Sequence, residues 1–582
     1  RKKEKITSKR GPDANGYYYD QNVSLGHNRL SIIDTSEQSN QPMIYGDYVI
    51  TYNGEIYNYK NLRKSLIEKG VHLNTFSDTE VILGLFSLYG INAFKMLSGI
   101  FSIAIWNKRK KKLYLIRDHL GVKPLYYVHK IREKRIYFSS SIQSLIEVID
   151  KKKISSKALF FYQNLGRNDS TETFISEVKK LEPAQLIIFG ENFFIKKKNF
   201  LKFEYTKKKF SNEEAKKKIE TIISNQFISD VPIALSLSGG IDSNVIFHCL
   251  RKFYKKDFSI YSFYFKDYDK FNEDFKVAEK NAKFYKYEFQ PIVISHNDFI
   301  DNSEKIIEAL EEPLRNDASV LNYVMAKSIK EKVLFTGDGG DEVFTGYDQY
   351  RSIYFLSILN KMNIFKGLFK SESFKNKQLS RLFSSDSRNL FLSFSERNLF
   401  KSPEKYYKNF RNMTINDINH NHSFKNSYQY RLNEVSQIEL DTRVQNDYLM
   451  RNDKLFMSQG IEVRVPFFDV EMINNFLQVS ENKKFGYRGS SKFILKNLFK
   501  KEIFNTTRRK WGLQSPLAKW MKKELQPYLK EILSSTYYEG SKKYINFDEV
   551  ENLIKIHKEK YFNHLLLWSL VNLQIYLRKF KL

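Results

Sequence analysis

The most constraining stretch of this 582-residue sequence is Ser238-Gly239-Gly240-Ile241-Asp242-Ser243. A short apolar run at 232–237 precedes it, and a helical pattern from 243 to 253 follows. A strand that enters a double-glycine turn and leaves as a helix is compatible with few folds. The glycines let the backbone turn tightly and approach an anion. Successive N–H groups form an anion nest, and the following helix presents its positive end. Asp242 beside a phosphate requires an intervening cation, which implies Mg2+. The lysine of the GxxxxGK[ST] loop is absent, so this is not a Walker-type site.

The surrounding pattern extends that reading. Strands are expected at 260–265, 287–294 and 332–335, with helices at 273–284 and 318–330 between them. This alternation predicts a parallel α/β sheet. From 347 onward the chain reads as mainly helical, and 370–427 reads as a variable helical insertion of weak periodicity. The first 200 residues read mainly as strands, including 48–52 and 112–116, with helices at 58–69 and 78–89. Ser77-Asp78-Thr79 suits the cap of the second helix. A hairpin is expected from 186–189 and 193–195, and the basic stretch 196–209 is read as a boundary. The expected division is therefore 1–200 and 210–582.

Composition narrows the class. With 11 Pro and 24 Gly the chain is neither collagen-like nor disordered. The single cysteine, Cys249, excludes a disulfide framework and a cysteine zinc cluster, and suits a reducing, cytoplasmic compartment. There is no apolar run of the roughly 18 residues that a membrane-spanning helix needs, and no signal-peptide pattern. The formal net charge is +30. Lysine outnumbers arginine about three to one and is spread along the chain, as in proteins of AT-rich genomes. The alternative reading of the charge is a polyanion partner, nucleic acid or anionic membrane. Runs such as 108–112 and 207–209 read as solvated turns.

Several ordered motifs add a resemblance. The Ser238–Ser243 loop is similar to the pyrophosphate loop of N-type ATP pyrophosphatases. Thr336-Gly337-Asp338-Gly339-Gly340-Asp341-Glu342-Val343-Phe344-Thr345-Gly346-Tyr347 follows the fourth strand. It looks like the corresponding segment of glutamine-hydrolysing asparagine synthetases. Asp453-Lys454, then Gly460-Ile461-Glu462-Val463-Arg464-Val465-Pro466-Phe467-Phe468-Asp469, then Arg508-Arg509-Lys510-Trp511-Gly512 and Leu567-Trp568-Ser569-Leu570 follow in the family's order. In the first half, Arg10-Gly11-Pro12-Asp13, Gly26–Asp34, Asn53–Asn58, Ser77–Glu80 and Arg117–Tyr126 resemble the family's glutaminase domain. The resemblance spans nearly the whole chain.

It implies an αββα glutaminase sandwich of the N-terminal-nucleophile type, then a parallel-sheet ATP pyrophosphatase domain with a helical C-terminal part. Glutamine would be hydrolysed in the first, and a carboxylate adenylated with ATP and Mg2+ and then amidated in the second. Asn53 and Gly54 would form the oxyanion hole. Arg29 would hold the glutamine carboxylate, and Glu55 and Asp78 its ammonium end. Leu30, Ser31, Ile32 and Ile33 would line that pocket. Ser238, Gly239, Gly240, Asp242 and Ser243 would bind the phosphates, and Leu237, Phe265, Thr336 and Gly337 the adenosine. Asp242 and Asp341 are the expected Mg2+ carboxylates. Lys510 would stabilise the departing pyrophosphate, and Asp338 would be the general base for ammonia. A homodimer is a family habit.

Two departures matter. Many family members carry glutamate where this sequence has Asp338, one methylene shorter. Family glutaminases also start with a nucleophilic cysteine about twenty residues before the RGPD motif, whereas here nine residues precede Arg10. Cys249 lies on the helix after the phosphate loop and is expected to be buried. The chain as given is therefore expected not to hydrolyse glutamine itself; a missing N-terminal segment is the expected reason, and the alternative is an ammonia-dependent protein. Asp453 is expected either to face the acceptor or to pair with Lys454, and Glu462 with Arg464 to form a structural ion pair. The expected activity is asparagine formation from aspartate. The alternatives are amidation of another carboxylate, such as a uronic acid of a surface polysaccharide, and a polyanion-binding protein on an inactive scaffold.

Overall fold

The computed structural model describes residues 6–190, 193–201, 210–361, 388, 391, 403–417, 431–477, 479–486, 490–504, 515–560 and 563–582. Lys510, Arg508 and Gly512 lie outside the described residues, as does most of 370–427.

Among the described residues the N-terminal region supplies eleven strands: β1 (Ala14–Tyr19), β2 (Ser24–Arg29), β3 (Met43–Tyr45), β4 (Tyr48–Ile56), β5 (Gly99–Asn107), β6 (Lys112–Arg117), β7 (Tyr126–Lys130), β8 (Arg135–Ser139), β9 (Lys179–Lys180), β10 (Gln185–Phe189) and β11 (Ile195–Asn199). One sheet runs β11-β10-β6-β5-β4-β3, antiparallel throughout, and a second runs β8-β7-β9. Between them lies a core that includes Val49, Ala104, Trp106, Leu115, Tyr127 and Ile187. The intervening residues of the same strands, such as Ile50, Ile103 and Ile105, face the helices Tyr59–Glu68 and Asp78–Tyr89. β5 is thus buried along its whole length, which is why its sequence shows no apolar–polar alternation. Helix Ile142–Ile146 packs on β7 from the other side and Ser156–Leu165 follows it, completing the αββα layering. The first region thus holds more helix than the sequence pattern indicates. The 196–199 segment, read as boundary, is the second strand of the expected hairpin.

Among its described residues the C-terminal region carries five parallel strands, β12 (Ile233–Ser236), β13 (Phe258–Phe265), β14 (Gln290–Ile294), β15 (Val333–Phe335) and β16 (Glu462–Arg464), in the order β14-β13-β12-β15-β16. The helices Ile241–Phe253, Glu273–Phe284, Asn297–Leu310 and Ala318–Ser328 cross between them. The chain leaves β12 in one direction and later returns to its other side as β15. The switch point between β12 and β15 is where such sheets bind ligands, outside the carboxyl ends of the strands. β16 is an addition to the expected strands. Three residues with two charged side chains carry no strand signal, yet all three are buried.

Buried polar contacts join the two regions. Glu311 accepts N–H groups of Ile142 and Gln143, both at 2.9 Å, and pairs with Lys454 and the Ser141 hydroxyl. Glu312 accepts from the Asn168 amide and the Phe174 N–H, each at 2.9 Å. Tyr162 donates to the Ser569 carbonyl at 2.7 Å.

Candidate active sites

The first site is a cleft lined by residues from β2, β4, the start of helix Asp78–Tyr89 and 138–140. Arg29, Leu30, Ile32, Ile33, Asn53, Gly54, Glu55 and Asp78 border it. Ser31 does not line it; its N–H donates to Asp13 at 2.7 Å. At Gly54, φ is +146°, and an added Cβ would lie 1.9 Å from the Ile100 carbonyl oxygen, so no side chain fits against β5. The Asn53 amide stands 3.4 Å from the Ser140 hydroxyl. Ser77 is the helix cap, accepting the Thr79 N–H. This leaves Asp78 to accept Tyr52 Oη at 2.8 Å and Ile56 N–H at 3.0 Å. Burial lifts the Asp78 carboxyl to about 6, against those hydrogen bonds. Glu55 is raised well above the carboxylate range by burial and then by the nearby Glu462 and Asp78. Arg29 donates to the carbonyls of Ser36 (2.8 Å), Ile33 (3.3 Å) and Asp34, and to Asn40 Oδ1 at 2.9 Å. It thereby orders the 33–40 loop at the mouth of the cleft.

Met457 and Glu462 of the C-terminal region also line this cleft. Behind it Arg464, fully buried, donates to Glu462 at 3.1 Å and to the carbonyls of Gln226 and Ile228 at 2.6 Å each, and stands 3.7 Å from Glu55. Lys123 pairs with Glu462 at 2.9 Å and lies 3.6 Å from Asp453. Asp453 does not pair with Lys454. Its partner is Arg10 at 2.7 Å, while Lys454 pairs with Glu311.

The second site lies at the carboxyl ends of β12 and β15. The Ser238 N–H donates to Ser243 Oγ at 3.1 Å, and Asn244 Nδ2 donates to the Ser238 and Gly240 carbonyls at 2.9 and 2.7 Å. Those contacts leave helix Ile241–Phe253 with Gly240 as an N-cap that has no side-chain bond to it. The 336–347 loop presses against this turn. A Cβ on Gly337 would lie 2.8 Å from Ser243 N, and one on Gly340 2.3 Å from Asp242 Cγ. Leu237 and Phe265 are buried at the ends of β12 and β13. Asp338 Oδ2 accepts Thr336 Oγ1 at 2.9 Å and Asn452 Nδ2 at 2.7 Å, and Asn322 orients Asn452 at 2.8 Å.

Asp242 and Asp341 converge on one cation, the ammonium of Lys492, which contacts Asp242 and stands 2.5 Å from Asp341 Oδ1. All three side chains are at least nine-tenths buried. Gly346 makes the room, since a Cβ there would lie 1.7 Å from Asp341 Oδ1 and 2.2 Å from Lys492 Cε. Two carboxylates gathered around a positive charge are a donor set that fits Mg2+ held jointly with substrate phosphates. Among the described residues no cluster of three His, Cys, Asp or Glu could hold a metal alone.

Sequence reasoning did not find Lys492 or Asn452. Lys492 follows Gly489-Ser490-Ser491 and has φ +54°, but one lysine among many carries no sequence signal. Nor did it find that Leu440–Leu449 is a π-helix, a form that favours functional sites. That segment carries Arg443, whose guanidinium lies 4.8 Å from the Tyr347 ring and 3.0 Å from Glu439. Cys249 is fully buried, and burial raises its thiol, so it is no nucleophile.

A phosphate loop and paired carboxylates at a parallel-sheet switch point, joined to an αββα unit with its own polar cleft, define a two-site ligase. Residues 214–578 match the asparagine synthase family and residues 1–200 a glutamine amidotransferase domain, so the chain belongs to the asparagine synthase family. It is similar to asparagine synthetase [glutamine-hydrolyzing] 1 of Bacillus subtilis, with 30% identity over 97% of this chain and 91% of the relative. A putative asparagine synthetase of Methanocaldococcus jannaschii is 29% identical over 70% of this chain and 82% of its own length. Amidase chry2 of Gibberella zeae is 26% identical over 60% of this chain and 55% of its own length. The protein is an amide-forming carbon–nitrogen ligase of the glutamine-dependent type. No helix among the described residues is long and apolar enough to cross a membrane.

Proposed function

We propose that the chain makes asparagine by adenylating the side-chain carboxylate of aspartate with ATP and aminating the product with ammonia released from glutamine. The observation that carries this reading is the packing of the 336–347 loop onto the Ser238–Ser243 turn, which gathers Asp242, Asp341 and Asp338 at one switch point. A carboxylate resists nucleophiles because of its own charge, so it needs a leaving group. The N–H groups and hydroxyls of 238–243 would hold the phosphates. The aspartate oxygen attacks the α-phosphorus, the bond to the β-phosphate oxygen breaks, and pyrophosphate departs. Asp242 and Asp341 would hold Mg2+, which supplies charge neutralisation at the phosphates. Lys492, displaced from between them, is placed to follow the phosphate charge. Ammonia then attacks the acyl carbon and AMP leaves. Asp338, oriented by Thr336 and Asn452, takes the proton that nitrogen gives up.

In the first region the Asn53 amide and the Gly54 N–H would stabilise the oxyanion that forms when a thiolate adds to the glutamine carboxamide carbon, before ammonia leaves; the single cysteine of this sequence, Cys249, is buried and does not supply that thiolate. Glu55 and Asp78 would face the amino group, and Arg29, which lines the cleft, would hold the carboxylate. Met457 and Glu462 of the C-terminal region line the same cleft, which places the two regions side by side at the point where ammonia would be released.

The test is pyrophosphate release from ATP and Mg2+ with ammonium as nitrogen donor, with and without aspartate. Aspartate-dependent release with asparagine formed supports the reading. No release from folded chain that binds ATP refutes the aspartate assignment. The shorter base at Asp338 then directs the search to other carboxylates, uronic acids first.

A further inference from the structure

One guanidinium beside the second site is only half engaged. Arg443 belongs to the π-helical segment Leu440–Leu449, which runs directly into helix Met450–Met457. A π turn sets residue i close to residue i+5. Arg443 therefore lies near Tyr448, with its guanidinium 5.3 Å from that ring and 4.8 Å from the ring of Tyr347. Asn452, which donates to Asp338, follows Tyr448 by one α-helical turn. The hydroxyls of Tyr347 and Tyr448 meet at 3.1 Å. Arg443, Tyr448 and Asn452 thus run alongside the 338–347 loop, from Glu342 back to Asp338.

The polar contacts around Arg443 are incomplete on both sides. Its Nη2 stands 3.0 Å from Glu439 Oε1 and 3.8 Å from Glu342 Oε1. Each of those oxygens already has a donor: the Gln349 amide at 2.8 Å on Glu439, and the Tyr347 hydroxyl at 2.7 Å on Glu342. Arg443 Nε and Nη2 are closed off from water and make no hydrogen bond, and neither does the buried Glu439 Oε2. The Arg443 side chain is 21% exposed, and Nη1 is the guanidinium nitrogen that is not closed off. A purely structural ion pair would be expected to satisfy both partners, because an unmet buried polar group is costly. Here a cation lacks an acceptor and a carboxylate lacks a donor. Two acids also share this one cation, which is the only ion-pair partner of either among the described residues.

The head group of an α-amino acid supplies what is missing. Its carboxylate accepts from a guanidinium, and its ammonium offsets the second acid. Aspartate held in this way can extend its side-chain carboxylate along the loop toward Asp338. A uronic acid has one carboxylate, which adenylation consumes, and it brings no ammonium. We propose that Arg443 selects the acceptor: it holds the α-carboxylate of an amino acid, while the surplus negative charge of Glu342 and Glu439 holds the α-ammonium. This assignment rests on reading the second site as the place of adenylation, and it deepens that reading by naming the residues that choose aspartate.

The experiment is steady-state pyrophosphate release by the full chain with ATP, Mg2+ and ammonium. The acceptor is aspartate, β-alanine (which lacks the α-carboxylate), succinate (which lacks the ammonium) or glucuronate. The wild type is expected to prefer aspartate to each of the others by at least about tenfold in kcat/KM. R443M should raise the KM for aspartate by about tenfold or more, as for a lost hydrogen bond to a charged group, with kcat and ATP affinity kept within about twofold. Its rate with β-alanine should stay at the wild-type level, so the preference for aspartate over β-alanine is lost. R443K keeps the charge without the fork and should raise that KM by at least about threefold; it carries the test if circular dichroism shows R443M unfolded. E439Q should lose the preference for aspartate over succinate and keep the preference over β-alanine. A merely structural role would lower the rates with aspartate and β-alanine alike. That result, or an unchanged KM in a folded Arg443 variant, overturns the inference and leaves the aspartate assignment standing. If the folded wild type shows no aspartate-dependent release, or works equally well with glucuronate, both are overturned.

Discussion

Replacing Lys492 with methionine removes the charge between Asp242 and Asp341 while keeping most of the stem's volume. The Lys492 side chain is 4% exposed, that of Asp242 4% and that of Asp341 9%, so water cannot take over the ammonium's role. The two carboxylates then lose the cation that they share. Breaking a buried pair by deleting one partner costs about 3–5 kcal/mol. For a cooperative unit the size of 214–578, that corresponds to a fall of about 4–6 °C in unfolding temperature. The assay is differential scanning calorimetry of wild type and K492M in chelator, then with Mg2+ added. The vacated position should accept the metal, so Mg2+ alone should recover much of the loss in K492M and change the wild type little. Titration with Mn2+ followed by electron paramagnetic resonance should show tighter metal binding in the variant. If K492M in chelator unfolds at the wild-type temperature, or if its metal affinity is no higher, the two acids are not held by Lys492 and the reasoning fails.

Other outcomes follow from the same geometry. G340A, whose Cβ would overlap Asp242, should lower ATP-dependent pyrophosphate release by at least about 100-fold, a loss of about 2.7 kcal/mol at the transition state, with the fold retained. D338N keeps a carbonyl for Thr336 and Asn452 but no base; amide formation should drop about 10²–10⁴-fold while ATP binding by calorimetry is unchanged. Asp78 in the folded chain titrates at about 6 against an ordinary 3.8. Between those values the folded state holds a proton that the unfolded state has lost, so this group's contribution to stability declines as pH rises to about 6 and is constant above. Urea midpoints measured from pH 4 to 7 should therefore show a shallower decline in D78N; an identical slope would contradict the assignment.

Helix Glu273–Phe284 and helix Asp78–Tyr89 were legible in the sequence because their apolar spacing and their ends coincide with what the core demands. The β10–β11 hairpin was expected too, but the extension of β11 over 196–199 was not, because its lysines read as linker; it is an edge strand, where one ladder of hydrogen bonds suffices and side chains remain in water. β16 was not, because two charged residues in three read as an ion pair. They are that, and they are also the sheet's last strand, with Arg464 satisfied by Glu462 and two carbonyls.

The sequence by itself determined the local chemistry: a strand, a double-glycine turn, a helix, and acids at fixed offsets within two short loops. Such features depend on neighbours within a few residues, so they survive without a fold. Only the tertiary structure decided which distant groups meet. It set Lys492 between Asp242 and Asp341, Asn452 on Asp338, Arg10 on Asp453, and Glu462 in the lining of a cleft built mainly by the other region. These pairings come from where helices and strands are packed, and a charged side chain's partner is set by the nearest opposite charge in space, whatever its distance along the chain.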